Sequence, residues 1–183
     1  MVLSGEAGIV SYTMPLVSVT RTYLRLKSHA QLAARPLPPG LTVRHLADCP
    51  VALYRAMYAE VGGPWHWLDR NAWPDDMLAA QLAKPGVRVL RLEQGEAFLG
   101  YAELERHSDG AVEIAYFGLV PDAIGVGIGK GFLTAVVDEA FALGATHVWL
   151  HTCTLDHPHA RRSYEARGFV AYLQETYEAD LPD

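Results

Sequence analysis

Four glycines fall within seven positions, at Gly125, Gly127, Gly129 and Gly131, where a strand-like run, Val112–Val120, gives way to a helical one. A single tight turn has no need of so many. Glycines at a strand-to-helix junction let the backbone approach a ligand closely. The unpaired N–H groups at the start of the helix, with the positive end of its dipole, favour a phosphate or pyrophosphate. The residues therefore predict an anion-binding loop in a chain that mixes strands and helices.

The order of the other elements limits how that loop is mounted. From Val17 to Lys27 the chain alternates, with Thr22, Leu24 and Leu26 on one side and Arg21, Tyr23, Arg25 and Lys27 on the other, which is strand periodicity. Arg35-Pro36-Leu37-Pro38-Pro39-Gly40 continues neither a helix nor a central strand and reads as a linker or turn. Residues 1–40 are thus expected to be an N-terminal extension and 41–183 the main domain. Within it, Leu41–His45 reads as a strand, Pro50–Glu60 and Asp75–Ala83 as helices, and Val87–Leu92, Ala97–Arg106 and Val112–Val120 as an antiparallel meander. Ile128, Phe132, Val136, Ala140 and Leu143 form a helical stripe ended by Gly144. His147–Thr154 follows as a strand, Ala160–Ala166 as a short helix closed by Gly168, and Phe169–Tyr177 as a last strand. The expected fold class is α/β with a mixed sheet. The strand at Val17–Lys27 has its own sheet edge or a partner subunit to pair with, so a homodimer is open.

Composition narrows the function. Half of the 183 residues are hydrophobic, enough to bury a core without disulfides or metal staples. Fifteen Lys and Arg against 21 Asp and Glu leave a net charge of -6, which argues against nucleic acid as a partner and suits a cationic small-molecule or peptide substrate. Cys49 and Cys153 form neither a CxxC pair nor a disulfide framework. A reducing cytoplasm is expected, with no membrane partner, because no leader pattern and no stretch of roughly 18 apolar residues is present.

Spacing tests the phosphate ligand. A dinucleotide-binding GxGxxG fails because Lys130 stands where its third glycine belongs. A GxxxxGK[ST] loop fails because Ile124 replaces its first glycine and Gly131 follows Lys130. What remains is Leu119-Val120-Pro121, Ile124-Gly125-Val126-Gly127-Ile128-Gly129, an apolar helix, Trp149–Thr154, and Ala160-Arg161-Arg162-Ser163-Tyr164-Glu165-Ala166-Arg167-Gly168-Phe169. These residues resemble the acyl-CoA-binding core of the GNAT superfamily of N-acetyltransferases, whose fold is a strongly twisted mixed sheet flanked by helices. The chain departs from the family pattern twice: Ile124 stands at a position usually basic or amide, and His157 where the later motif has Asn.

The resemblance implies transfer of an acetyl group from acetyl-CoA, as cosubstrate, to a primary amine by direct attack. It assigns the pantetheine arm to the backbone of Leu119 and Val120, and the pyrophosphate to the N–H groups of Gly125, Val126, Gly127, Ile128, Gly129 and Lys130, with His157 beside them. It gives Tyr164 the role of general acid to the departing thiolate and places Glu113 as general base, Glu103 on the neighbouring strand facing the same cleft. A base is needed because an alkylamine, with a pKa near ~10, arrives protonated. Trp65, His66, Trp67 and Asp69, in a stretch holding three of the four tryptophans, are the candidate acceptor residues, since aromatic faces and a carboxylate attract a cation. The same tryptophans serve equally as a hydrophobic clasp. A second reading, a CoA-binding sensor without catalysis, rests on Ile124 and His157. No metal is expected: His147 and His151, four apart on a strand, stand roughly 13 Å apart, and Asp156 or His157 is more simply a helix cap.

Overall fold

The computed structural model describes residues 16–180. Seven strands and four α-helices follow one another along the chain: β1 (Leu16–Leu26), β2 (Leu41–His45), α1 (Val51–Gly62), α2 (Asp75–Leu82), β3 (Val87–Gln94), β4 (Ala97–Arg106), β5 (Val112–Leu119), α3 (Gly129–Ala142), β6 (Val148–Cys153), α4 (Ala160–Glu165) and β7 (Val170–Asp180). Three-residue 3-10 turns at Gly63–Trp65 and Pro121–Ala123 and a four-residue one at Asp69–Ala72 lie in the stretches that the sequence reading leaves as loops. Residues 1–15 of the expected extension lie outside the described residues.

The strands form one sheet in the order β2-β3-β4-β5-β6-β1-β7. Every neighbouring pair is antiparallel except β5 and β6. The N-terminal strand is therefore not at a sheet edge. Arg21–Leu26 pairs with Cys153–Val148 on one side, and Leu16–Arg25 pairs with Asp180–Val170 on the other. Leu24 and Leu26, wholly buried, supply the reason, since burying each stabilises by about 1.5–3 kcal/mol. The parallel pair is short, with only Val112↔Val148 and Glu113↔Trp149 in register before β5 and β6 part. That separation opens the sheet at its middle.

Each face of the sheet has its own core. Leu24, Leu26, Val112, Ile114, Val148 and Leu150 pack with Phe132, Val136 and Ala140 of α3 and with Tyr164 of α4. On the other face Tyr54, Tyr58 and Val61 of α1 and Leu78 of α2 pack on Val89 and Tyr101. By alternation, Arg21, Tyr23, Trp149 and His151 point away from the α3 and α4 side. No helix among the described residues is long and apolar enough to cross a membrane.

The proline-rich segment expected to be a linker is strapped to the helices instead. Ala33 donates its N–H to Arg167 C=O at 3.0 Å, Arg35 donates its N–H to Thr134 Oγ1 at 2.9 Å, and His29 Nε2 meets Asp138 Oδ1 at 2.7 Å. Gly131 belongs to this contact, because a Cβ there would stand 2.6 Å from the Pro36 carbonyl oxygen. One of the four loop glycines thus serves packing.

Candidate active site

A cleft of about 740 Å³ opens where β5 and β6 part. Its helical side is built by the glycine loop, α3 and α4. Gly125 and Gly127 have φ of 87° and 91°, a left-handed backbone that L side chains rarely adopt, and nothing lies within 4 Å of where a Cβ would be. The first α-helical bond of α3 runs from Phe132 N–H to Ile128 C=O at 3.0 Å, so the N–H groups of Gly129, Lys130 and Gly131 have no partner within the helix. Lys130 lines the cleft beside them, and Arg162 of α4 lines it further along. Donors, helix dipole and cations together fit an anion.

Along β5 the register decides which backbone groups are free. Val120 donates its N–H to Leu99 C=O at 3.0 Å, toward β4, and the alternation of an antiparallel ladder then turns the N–H and C=O of Leu119 and Phe117 toward the parted β6. The backbone assigned to Val120 is therefore already engaged, while Phe117, absent from the sequence-derived set, takes its place. Leu119, Gly125, Gly127, Gly129, Lys130 and His157 line the cleft; Val120, Val126 and Ile128 do not. Val120 packs with the α1 core, Ile128 packs between the two cores, and Val126 points outward at 66% exposure.

Tyr164 also lines the cleft, through α4. Its ring lies 6.1 Å from both Phe117 and Phe169, and its hydroxyl has no hydrogen-bond partner among the described residues. Burial, with a smaller push from the Asp156 carboxylate, holds the phenol well above its ordinary pKa. It stays protonated at physiological pH and can donate into the cleft.

On the opposite face the segment between α1 and α2 overhangs the opening. Trp65, His66, Trp67 and Asp69 all line the cleft, as the sequence reading expects for an acceptor site. His66 takes the left-handed conformation, φ 54°, which separates two tryptophans with different contacts. Trp67 packs at ring-centroid distances of 5.7 Å from Tyr58 and 5.1 Å from Tyr116, so it is a clasp as well as a wall. Trp65 meets His157 edge-on at 5.1 Å, across the mouth of the cleft.

Neither of the two strand carboxylates lines the cleft. Glu103 is wholly buried, bound by the Tyr54 hydroxyl and by Arg70 Nη2 at 2.7 Å, and does not line the cleft. Its partner Arg70 stacks 4.0 Å from the Trp73 ring and 5.2 Å from that of Tyr116. Glu103 thus anchors the overhanging segment from beneath. Glu113 lies near the point where β5 still pairs with β6 and meets His107 Nε2 at 3.0 Å, outside the cleft. Burial raises its pKa, against the pull of His107.

His151, absent from the sequence-derived set, does line the cleft. It lies on β6 two residues beyond Trp149, lines the cleft and remains open to its solvent. Recession into the cleft, then the neighbouring Arg21 guanidinium, lower its pKa, so the imidazole is neutral at neutral pH and able to accept a proton. Arg21 and Tyr177 complete this side of the cleft. Strand alternation could have found His151, since it shares a face with Trp149 and Cys153 while Leu150 and Thr152 turn inward. Cys153 also lines the cleft, with its thiol pKa raised by burial, which disfavours the thiolate. Among the described residues no group of three or more His, Cys, Asp or Glu could hold a metal ion. Asp156 is not a helix cap: its Oδ2 accepts from Thr152 Oγ1 at 2.6 Å and from Cys153 N–H at 2.9 Å, closing the turn after β6. His157 Nδ1 instead accepts the His159 N–H at 3.1 Å, just ahead of α4.

Residues 53–169 match the model of the acetyltransferase (GNAT) family. A mycothiol acetyltransferase from Saccharopolyspora erythraea is 27% identical over 149 residues, which cover 78% of this chain and 48% of that protein. The chain thus spans about half the length of that curated relative. Among solved structures, a GCN5-related N-acetyltransferase from Kribbella flavida superposes with a TM-score of 0.63 at 21% identity, covering 93% of this chain and 61% of the other. An aminoglycoside acetyltransferase from an uncultured soil metagenomic sample gives 0.59 at 14% identity, covering 72% of this chain and 89% of its own. The mixed sheet, parted between its two parallel strands beside a glycine loop, and the family match over most of its length agree: the chain belongs to the GNAT acetyltransferase family.

Proposed function

We propose that this chain transfers an acetyl group from acetyl-CoA directly to a primary amine. The observation that carries the reading is the parting of β5 from β6 after two residue pairs, with the glycine loop on one face of the opening and an aromatic overhang on the other. The two substrates would enter from opposite faces of the sheet and meet in the gap.

The residues fit the cosubstrate. The free N–H groups at the start of α3, with Lys130, suit the pyrophosphate, and the backbone of Phe117 and Leu119 suits an extended, amide-rich arm that pairs as an added strand. The bound thioester supplies an activated acyl group. His151 accepts a proton from the incoming ammonium, so that the amine attacks as the free base. Asp69 and the faces of Trp65 and Trp67 favour the cation before it loses that proton. Tyr164 donates its O–H to the sulfur as negative charge develops there; its raised pKa makes it a hydrogen-bond donor first, with the proton completing its transfer as the thiolate departs.

Release of free thiol from acetyl-CoA across a panel of amines, alongside thermal stability with acetyl-CoA present, tests the reading. At 100 times its dissociation constant the cosubstrate should add about 2.7 kcal/mol of stability. Stabilisation without thiol release from any amine would favour a sensor; no stabilisation at millimolar acetyl-CoA would sink both.

A further inference from the structure

The acceptor face carries a cation that acetyl transfer to a simple amine does not require. Arg21 stands on β1 opposite Cys153, one strand beyond the gap, and lines the cleft together with Asp69 and His151. It lies on the sheet face opposite α3 and α4, so the phosphates assigned to Lys130 and the loop do not account for its charge. Its guanidinium sits 5.0 Å from the centre of the Tyr177 ring and Nη2 donates to the Tyr177 hydroxyl at 3.3 Å. Neither contact neutralises it. It forms no ion pair among the described residues, and its Nε–H is shielded from solvent with no acceptor. Glu175, its register neighbour on β7, instead accepts the Tyr23 hydroxyl at 2.9 Å.

A guanidinium held against an aromatic ring in the cleft wall, with its charge unpaired, suits an anion that presents two oxygens in a plane, as a carboxylate does. The same cleft holds Asp69, which suits an ammonium group. Both signs on one face favour a zwitterion over a polycation, whose charges would have to pass beside Arg21. Resting on the acetyl-transfer reading above, we propose that the acceptor is an amine that also bears a carboxylate, an amino acid or short peptide, with Arg21 binding the carboxylate and Asp69 drawing in the ammonium.

The test compares matched acceptors, free amino acids and dipeptides against their C-terminal amides, by kcat/KM with acetyl-CoA saturating. The wild-type chain should prefer the acids by at least about tenfold, the worth of a charge-assisted hydrogen bond. In Arg21→Met that ratio should fall to about one, and in Arg21→Lys, which keeps the charge but loses the fork, it should lie between. Reading a ratio removes any general loss caused by the variant, including a changed His151 pKa, and circular dichroism confirms that each variant folds. Amino acids against dipeptides then separates the two sources of the same chemistry. A wild-type ratio near or below one, or a ratio that survives in Arg21→Met, overturns the proposal. If no amine of any kind releases thiol, the acetyl-transfer reading has failed instead, and calorimetric affinities for the same acid and amide pairs decide the carboxylate preference by the same ratio.

Discussion

The Glu103 carboxylate accepts a hydrogen bond from Arg70 Nη2 at 2.7 Å, with Glu103 wholly buried and Arg70 only 8% exposed. The pair ties strand β4 to the overhanging 3-10 turn at Asp69–Ala72. It thereby holds Asp69, the neighbour of Arg70 in sequence, in the cleft wall.

Removing one member of this pair leaves the other charge buried and unmatched. Glu103→Ala should therefore cost about 3–5 kcal/mol of stability in urea unfolding, while Glu103→Leu combined with Arg70→Met should recover much of it. If the single variant were as stable as the wild type, the pair would not be holding the segment.

Tyr164→Phe removes only the hydroxyl. Turnover should drop by about 10²-fold or more, with the KM for acetyl-CoA nearly unchanged, because the hydroxyl is needed when charge develops on sulfur rather than for binding. Steady-state kinetics with both substrates saturating gives the answer, and wild-type turnover would remove Tyr164 from the chemistry.

The lowered pKa of His151 sets a pH dependence. Its ordinary value is near ~6.5, and recession into the cleft, with the Arg21 charge, moves it lower, against the opposing carboxylates of Asp156 and Asp69. Activity should hold as pH falls to ~6.5 and decline only below that, as the imidazole takes up a proton. Stability follows the same sign: the contribution is present above the unfolded pKa and is lost as pH falls through the folded one. His151→Asn should lower kcat/KM by about 10²–10⁴-fold and abolish the acid limb, whereas Glu113→Gln should preserve it. A limb that persists in His151→Asn and disappears in Glu113→Gln would return the base role to Glu113.

Gly127 holds a φ of 91° with open space above it. Gly127→Val adds strain of about 1–2 kcal/mol and fills the space through which a phosphate would approach. Acetyl-CoA affinity, measured by calorimetry, should fall at least about tenfold, since that change corresponds to roughly 1.4 kcal/mol. An unchanged affinity would place the pyrophosphate elsewhere.

Elements with a strong local pattern are legible in the sequence: Leu24 and Leu26 alternating with charged neighbours give β1, and the Phe132, Val136 and Ala140 stripe gives α3. The neighbours of β1 are not legible, because its partners lie more than 120 residues away, at Cys153–Val148 and beyond, and periodicity carries no information about them. The glycine loop is legible as an anion site, yet Gly131 is glycine for the Pro36 carbonyl, a contact brought about only by folding. Glu103 and Glu113 show what a strand pattern leaves open. A strand position fixes which face a side chain takes, but whether that face is open cleft, as at His151, or is covered by Tyr54 and Arg70, as at Glu103, depends on segments packed from elsewhere.

The insertion of β1 between β6 and β7 also fixes an order of events during synthesis. The first described strand to leave the ribosome meets its first partner only once Val148–Cys153 has been made, and its second only after Val170–Asp180. Until then Leu24 and Leu26 have no sheet to cover them. The half of the molecule that carries Arg21, His151 and Tyr177 therefore closes last, so a stalled or shortened nascent chain would keep the glycine loop and lack this wall of the cleft, exposing an apolar strand to aggregation.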